Sequence, residues 1–231
     1  MNQPAVWPRP TTNDHPMIRD GYTDLTPGKI AAVVTYLEMR ERPVAAETNS
    51  HVSQMRRDPS AGSGQAMGHP QVRSRRIENP GLDWYRKRYR RAGGPWLWFS
   101  RLEMSDEQLA SVLRRATTEV FMAEHELDEI GIAELDRSDA QNVEITTFAL
   151  FAEWQGRGLG QRFMAEVLAR AWSGDPARVW LHTCTLDGPG ALAFYLKCGF
   201  RAYKRAIEVA DDPRVRGFLP LDAAPGVPII R

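Results

Sequence analysis

The sequence predicts a mixed α/β (α+β) fold: a central mixed sheet, antiparallel in its first half and carrying a βαβ crossover in its second, with helices on both faces. Three observations predict it. Three strand-like runs follow one another between residues 119 and 151 with only short polar turns between them, as antiparallel neighbours do. A strand, a glycine loop, a helix and a further strand come next, the order of a crossover unit. Two helical stretches precede the triplet. The chain has 231 residues, 42% hydrophobic and 26% charged, an ordinary globular composition at a length able to bury a core.

Along the chain, residues 1–27 read as a loosely ordered lead-in. KIAAVVTYLEMRERP begins at Lys29, is rich in β-branched residues and predicts a strand over about 29–42, running to Pro43. Residues 45–70 are polar and small with SAGSG at their centre, the composition of a mobile linker. The expected organisation is therefore an N-terminal extension, 1–71, with an accessory strand and a flexible linker, followed by a main domain, 72–231. In that domain VRSRRIE is a short strand broken by Asn79, Pro80 and Gly81. LDWYRKRYRR, 82–91, is a helix with one aromatic and aliphatic side and one basic side, stopped at Gly93, Gly94 and Pro95. WLWFSRLEM is an aromatic connector. Ser105 opens a second helix, SDEQLASVLRR, with acids in its first turn and arginines in its last. The strands EVFMAEHE, EIGIAELD and VEITTFALF follow. QRFMAEVLARAW is a helix closed by Ser173–Pro176, VWLHTCTL (179–186) a strand, ALAFYLKC a helix ended by Gly199, and FRAYKRAIEV the last strand before a proline-rich tail from Asp211.

The loop between the third strand of the triplet and the next helix carries Gln155, Gly156, Arg157, Gly158, Leu159, Gly160 and Gln161. A Walker loop would need lysine and a hydroxyl after its last glycine, where this chain has Gln161 and Arg162; a dinucleotide fingerprint would need glycine at Phe163. What fits is Q-x-x-G-x-G, on Gln155, Gly158 and Gly160. Glycines permit left-handed turns and close approach of the main chain, and the free N–H groups and positive end of the helix hold a pyrophosphate. Arg157 and Arg162 could add charge.

This loop, together with Ala191, Tyr195, Gly199 and Phe200 in ALAFYLKCGF, resembles the GNAT superfamily of N-acetyltransferases over roughly residues 72–208. The resemblance implies acetyl-CoA as cosubstrate, held by Leu150, Gln155, Gly156, Arg157, Gly158, Leu159, Gly160 and Gln161, with no metal. It implies that the Leu150 main-chain N–H meets the developing oxyanion, that Tyr195 is the general acid, and that Glu144, eleven residues before Gln155, is the base. Glu134 and His182 are alternatives for that last role. The acceptor would be a primary amine of a small molecule or peptide, bound near the connector, where Trp96, Trp98, Phe99 and Glu103 are candidates. One departure is Gly188, where members of the family commonly have asparagine. A catalytically silent acyl-CoA sensor or scaffold is the alternative function.

Formal net charge is +1, and the basic run RKRYRR with Arg73, Arg75 and Arg76 reads as a solvated face, which argues against nucleic acid as a partner. Cys184 and Cys198 form neither a disulfide framework nor a metal-ligand spacing and point to a reducing cytoplasm. Cys184, two residues from His182, is a weak candidate nucleophile. The N-terminus lacks signal-peptide character, and no run approaches the ~20 apolar residues of a membrane span. The accessory strand leaves a homodimer open.

Overall fold

Seven strands and four helices make up the computed structural model, which describes residues 20–43 and 72–231. In chain order they are β1 (Lys29–Met39), β2 (Val72–Arg76), α1 (Leu82–Gly93), α2 (Asp106–Leu113), β3 (Thr118–His125), β4 (Asp128–Asp136), β5 (Asn142–Leu150), α3 (Leu159–Ala171), β6 (Arg178–Cys184), α4 (Ala191–Lys197) and β7 (Arg201–Asp211). The expected linker at 45–70 and most of the lead-in lie outside the described residues.

The strands form one mixed sheet in the order β2-β3-β4-β5-β6-β1-β7. β2 through β5 are antiparallel neighbours, and β5 pairs β6 in parallel through the α3 crossover. Capping is local and conventional. Ser105 accepts from the Gln108 N–H at 3.2 Å, while the Gln108 side chain accepts from the Ser105 N–H at 2.9 Å, a reciprocal box that starts α2.

The strand expected over 29–42 ends at Met39, and it is interior. β1 lies between β6 and β7, antiparallel to both, with Leu37 opposite Leu181 on one side and Ala202 on the other. Residues 29–39 thus belong to the same sheet as the rest of the described chain. An interior strand offers no free edge, which removes the argument for subunit pairing through it. Among the described strands β7 and β2 are the edges.

Each face of the sheet carries its own core. On one, α3 and α4 bring Phe163, Val167 and Tyr195, with Phe200 just after α4, against Leu37, Val143 and Leu181. On the other, α1, α2 and the C-terminal tail pack Tyr85, Tyr89, Leu109 and Leu219 with Ile30, Val120 and Ile132. The tail is held by Arg214, which is 3% exposed, donates to both Asp212 carboxylate oxygens and reaches the Ala223 and Val227 carbonyls.

Candidate active site

The glycine loop separates into positions bare for different reasons. Gly156 and Gly158 have φ of +73° and +75°, and a Cβ at either would touch nothing within 4 Å. They are glycine because the backbone is left-handed, with open space in front of it. Gly160 lies inside α3, which starts at Leu159, two residues earlier than the sequence suggested. A Cβ there would meet the Phe194 ring at 3.3 Å, so this glycine serves the packing of α4 on α3. No acid occupies the first turn of α3, so its N-terminal amides and dipole face the opening uncompensated. Arg157 rests on the Trp154 ring, 4.8 Å from its centroid. The Gln155 side chain points back to the strand, its Nε2 donating to the Leu150 carbonyl at 2.9 Å.

Leu150 sits at a fork. The pairing of β5 with β6 ends at Glu144 opposite Trp180, and both strands run on apart from each other. The Phe151 N–H donates to the Ile130 carbonyl at 2.8 Å, which makes that the hydrogen-bonded pair and Leu150–Gly131 the alternate one. The Leu150 N–H therefore turns away from β4 and into the fork. Gly131 makes this possible: a Cβ on it would lie 2.3 Å from the Ala149 carbonyl oxygen and 3.0 Å from the Leu150 Cα. Sequence reasoning passed over Gly131, because its need is set by a partner strand.

Glu144 and His182 face each other where the strands part, Oε1 to Nδ1 3.5 Å, at the limit of hydrogen-bond reach. Burial works against a charged His182, but the Glu144 hydrogen bond and charge, with Glu208 and Asp187 further off, outweigh it and raise the imidazole above its ordinary value. The Tyr195 ring packs among Phe148, Phe194 and Phe200. Burial above all, then the charge of Asp187, raises its phenol well above the usual value and keeps it protonated. Its hydroxyl has no hydrogen-bond partner among the described residues.

Glu144, His182 and Tyr195 line one cleft of about 950 Å³, bounded from β1 by Ile30, Ala32, Val34 and Tyr36, and from the connector by Trp96, Trp98 and Phe99. That is the size of a small-molecule pocket. Asp187 ties its walls together, accepting from Trp98 Nε1 at 2.7 Å, Thr183 Oγ1 at 2.6 Å and the Cys184 N–H at 2.8 Å. The Trp96 indole lies against Gly188, 3.3 Å from where a Cβ would be, so an asparagine there would need the indole to give by a few tenths of an ångström.

Two candidates fall away. Glu134 is 1% exposed and accepts from Tyr85 Oη and Arg101 at 2.5 Å each and from Thr146 Oγ1 at 2.8 Å. Burial pushes its carboxyl up, but Arg101 and the two hydroxyls hold it below the usual range, so it is a structural ion and not a base. Burial and Asp187 raise the Cys184 thiol to about 11, which keeps it neutral and removes it as a nucleophile. Glu103 lies outside the cleft lining, and among the described residues no group of three or more His, Cys, Asp or Glu side chains could hold a metal ion. No described helix is long and apolar enough to cross a membrane.

Residues 81–200, just over half of the chain, match the acetyltransferase (GNAT) family. Over 103 residues the chain is 30% identical to an uncharacterised N-acetyltransferase of Mycobacterium tuberculosis and, equally, to one of Mycobacterium bovis, covering 45% of this chain and 65% of each relative. It thus spans just under two thirds of the length of these curated relatives. A conserved protein of unknown function from Staphylococcus epidermidis shares the fold, with a TM-score of 0.53 and 17% identity over 80% of this chain and 64% of that one.

Proposed function

The chain belongs to the acetyltransferase (GNAT) family, and on that premise we propose that it transfers an acetyl group from acetyl-CoA to a primary amine bound in the cleft. The observation that carries this reading is the fork. Glu144, His182 and Tyr195 line one cleft, and the strand register turns the Leu150 N–H into the fork, which supports a reading with the uncapped N-terminus of α3 as the cofactor end.

The pyrophosphate fits the α3 end, where Gly156 and Gly158 present main chain to open space and Leu159, Gly160 and Gln161 present helix N–H groups. Arg157 is on the same loop and adds charge. Gln155 does not face the ligand in this role; it fixes the loop to the end of β5. The thioester carbonyl lies in the fork with the Leu150 N–H aimed at its oxygen, where negative charge develops as the amine attacks.

The amine must lose a proton to attack, and His182 takes it, with Glu144 beside it favouring the imidazolium that results. Glu144 thereby acts through His182 and not as the lone base. As the C–N bond forms and the C–S bond breaks, the Tyr195 hydroxyl hydrogen-bonds the departing sulfur and protonates it. The proton lost by the amine balances the one that Tyr195 regains. The products are the acetylated amine and free coenzyme A.

Calorimetric titration with acetyl-CoA beside ATP and NAD is the first test. Binding of acetyl-CoA alone is the expected result, and its absence would overturn the loop reading. Thiol release over an amine panel then tests turnover, and Tyr195→Phe is expected to slow it ten- to a hundredfold with acetyl-CoA affinity retained. Binding with no thiol release from any amine would instead identify a silent acyl-CoA binder.

A further inference from the structure

Seven carboxylates line the cleft: Glu107, Glu134, Asp136, Asp139, Glu144, Asp187 and Glu208. Six of them are already engaged. Ser105 Oγ donates to Glu107, the Ser138 N–H to Asp136, and Gln141 and Asn142 to Asp139, while Glu134, Glu144 and Asp187 have the partners described above. Glu208 alone accepts no hydrogen bond and makes no ion pair among the described residues.

Its surroundings sharpen the anomaly. Glu208 is half-buried on β7, opposite Ala32 of β1, and the other cleft-facing residues of that corner are Ile30, Ala32, Val34, Ala206 and Ala210. Small apolar side chains leave room above the sheet but give a carboxylate nothing to bond. Burial raises its pKa, and only the distant charge of His182 opposes the rise, while that of Asp187 adds to it. A partly desolvated carboxylate in an apolar corner is costly unless a cation meets it.

The reacting nitrogen cannot be that cation, because it must be neutral to attack. We propose that Glu208 recognises a second ammonium group of the acceptor, so that the substrate class is a diamine or longer polyamine whose near nitrogen faces His182. Which nitrogen reacts rests on the acetyl-transfer reading above; the recognition by Glu208 does not. The register supports the span. His182 is opposite Tyr36 and Glu208 opposite Ala32, two strands across and four residues along, so their Cα atoms are roughly 16 Å apart. Two side chains reaching inward and a four- to six-carbon amine bridge that distance. The cation on this face of β7, Lys204, lies over the Tyr36 ring, 5.1 Å from its centroid.

Equilibrium titration of the full chain, with and without coenzyme A, against 1,5-diaminopentane, pentylamine and 5-aminopentanoate tests this without requiring turnover. The diamine is expected to bind about tenfold tighter than pentylamine or better, with 5-aminopentanoate weakest, and Glu208→Gln is expected to erase the diamine's advantage. Equal affinity of the wild type for diamine and pentylamine, or an advantage that survives Glu208→Gln, would overturn the proposal. So would tightest binding of 5-aminopentanoate, which would assign recognition to Lys204. Diamine binding dependent on Glu208 with no thiol release would sink the acetyl-transfer reading alone; rapid thiol release with a flat amine series would sink this one alone.

Discussion

At the N-terminus of α3, positions 150–161 supply a strand end, a turn and a helix start from one continuous stretch. The cleft on the acceptor side is assembled from β1, the 96–104 connector, β6 and β7, which are up to some 180 residues apart in the chain. The α3 end is nearly bare, its glycines at 156 and 158 facing open space, while the acceptor end is dense with aromatic contacts and with carboxylates that, Glu208 apart, are hydrogen-bonded or ion-paired. A site built from consecutive residues can be specified by turn geometry alone. One built from distant strands depends on the whole sheet being assembled first, so damage there reaches stability before it reaches binding.

The largest break in this contrast comes from removing residues 1–43. β7 pairs only with β1 in this sheet, and β6 would lose its antiparallel neighbour. The expected result is loss of a cooperative urea transition; a truncated chain that still unfolds cooperatively would show β1 to be an addition after all. Next is Glu134→Ala, which leaves Arg101 charged in the core without its partner. About 3–5 kcal/mol of destabilisation is expected from urea unfolding. Because the folded-state pKa of Glu134 is lowered, its contribution is present above the ordinary value of 4.5 and is lost as pH falls below that toward the depressed value. The variant should therefore be less sensitive to acid in that window.

Gly158→Val sharpens the other side of the contrast. The backbone there is left-handed, so a β-branched residue costs roughly 1–2 kcal/mol of strain or a shifted loop. Acetyl-CoA affinity is expected to fall at least tenfold while amine binding at the far end holds, both read by calorimetry. The smallest effect is a shift in a pH profile. Glu144 raises the His182 pKa, so Glu144→Gln leaves burial to dominate and lowers it. A base works only when neutral, so the acid limb of kcat/KM should move to lower pH; an unmoved midpoint would exclude His182 as the base.

Much of the fold could be read from the chain. The strands of the triplet, the crossover and the capping box at Ser105 appear where hydrophobic spacing and cap chemistry put them, with ends displaced by at most two residues. In the candidate site the loop and Tyr195 could be singled out from the sequence because each sits in a short pattern. Gly131 was not, since its reason is the Ala149 carbonyl of another strand. Nor could Glu134 be told from Glu144: both are glutamates flanked by apolar residues in a strand, and only the arrival of Arg101 and Tyr85 makes one a neutralised structural ion.

By itself the sequence determined what is decided over a few residues: where helices cap, where the main chain must turn left-handed, and which helix end is left bare. These depend on φ/ψ preferences and hydrogen bonds between near neighbours. The tertiary structure decided where β1 inserts and, among the described carboxylates of the cleft, which find donors and that Glu208 does not. Strand pairing and charge compensation are fixed by groups far apart in the chain, and no local pattern records which of them will meet.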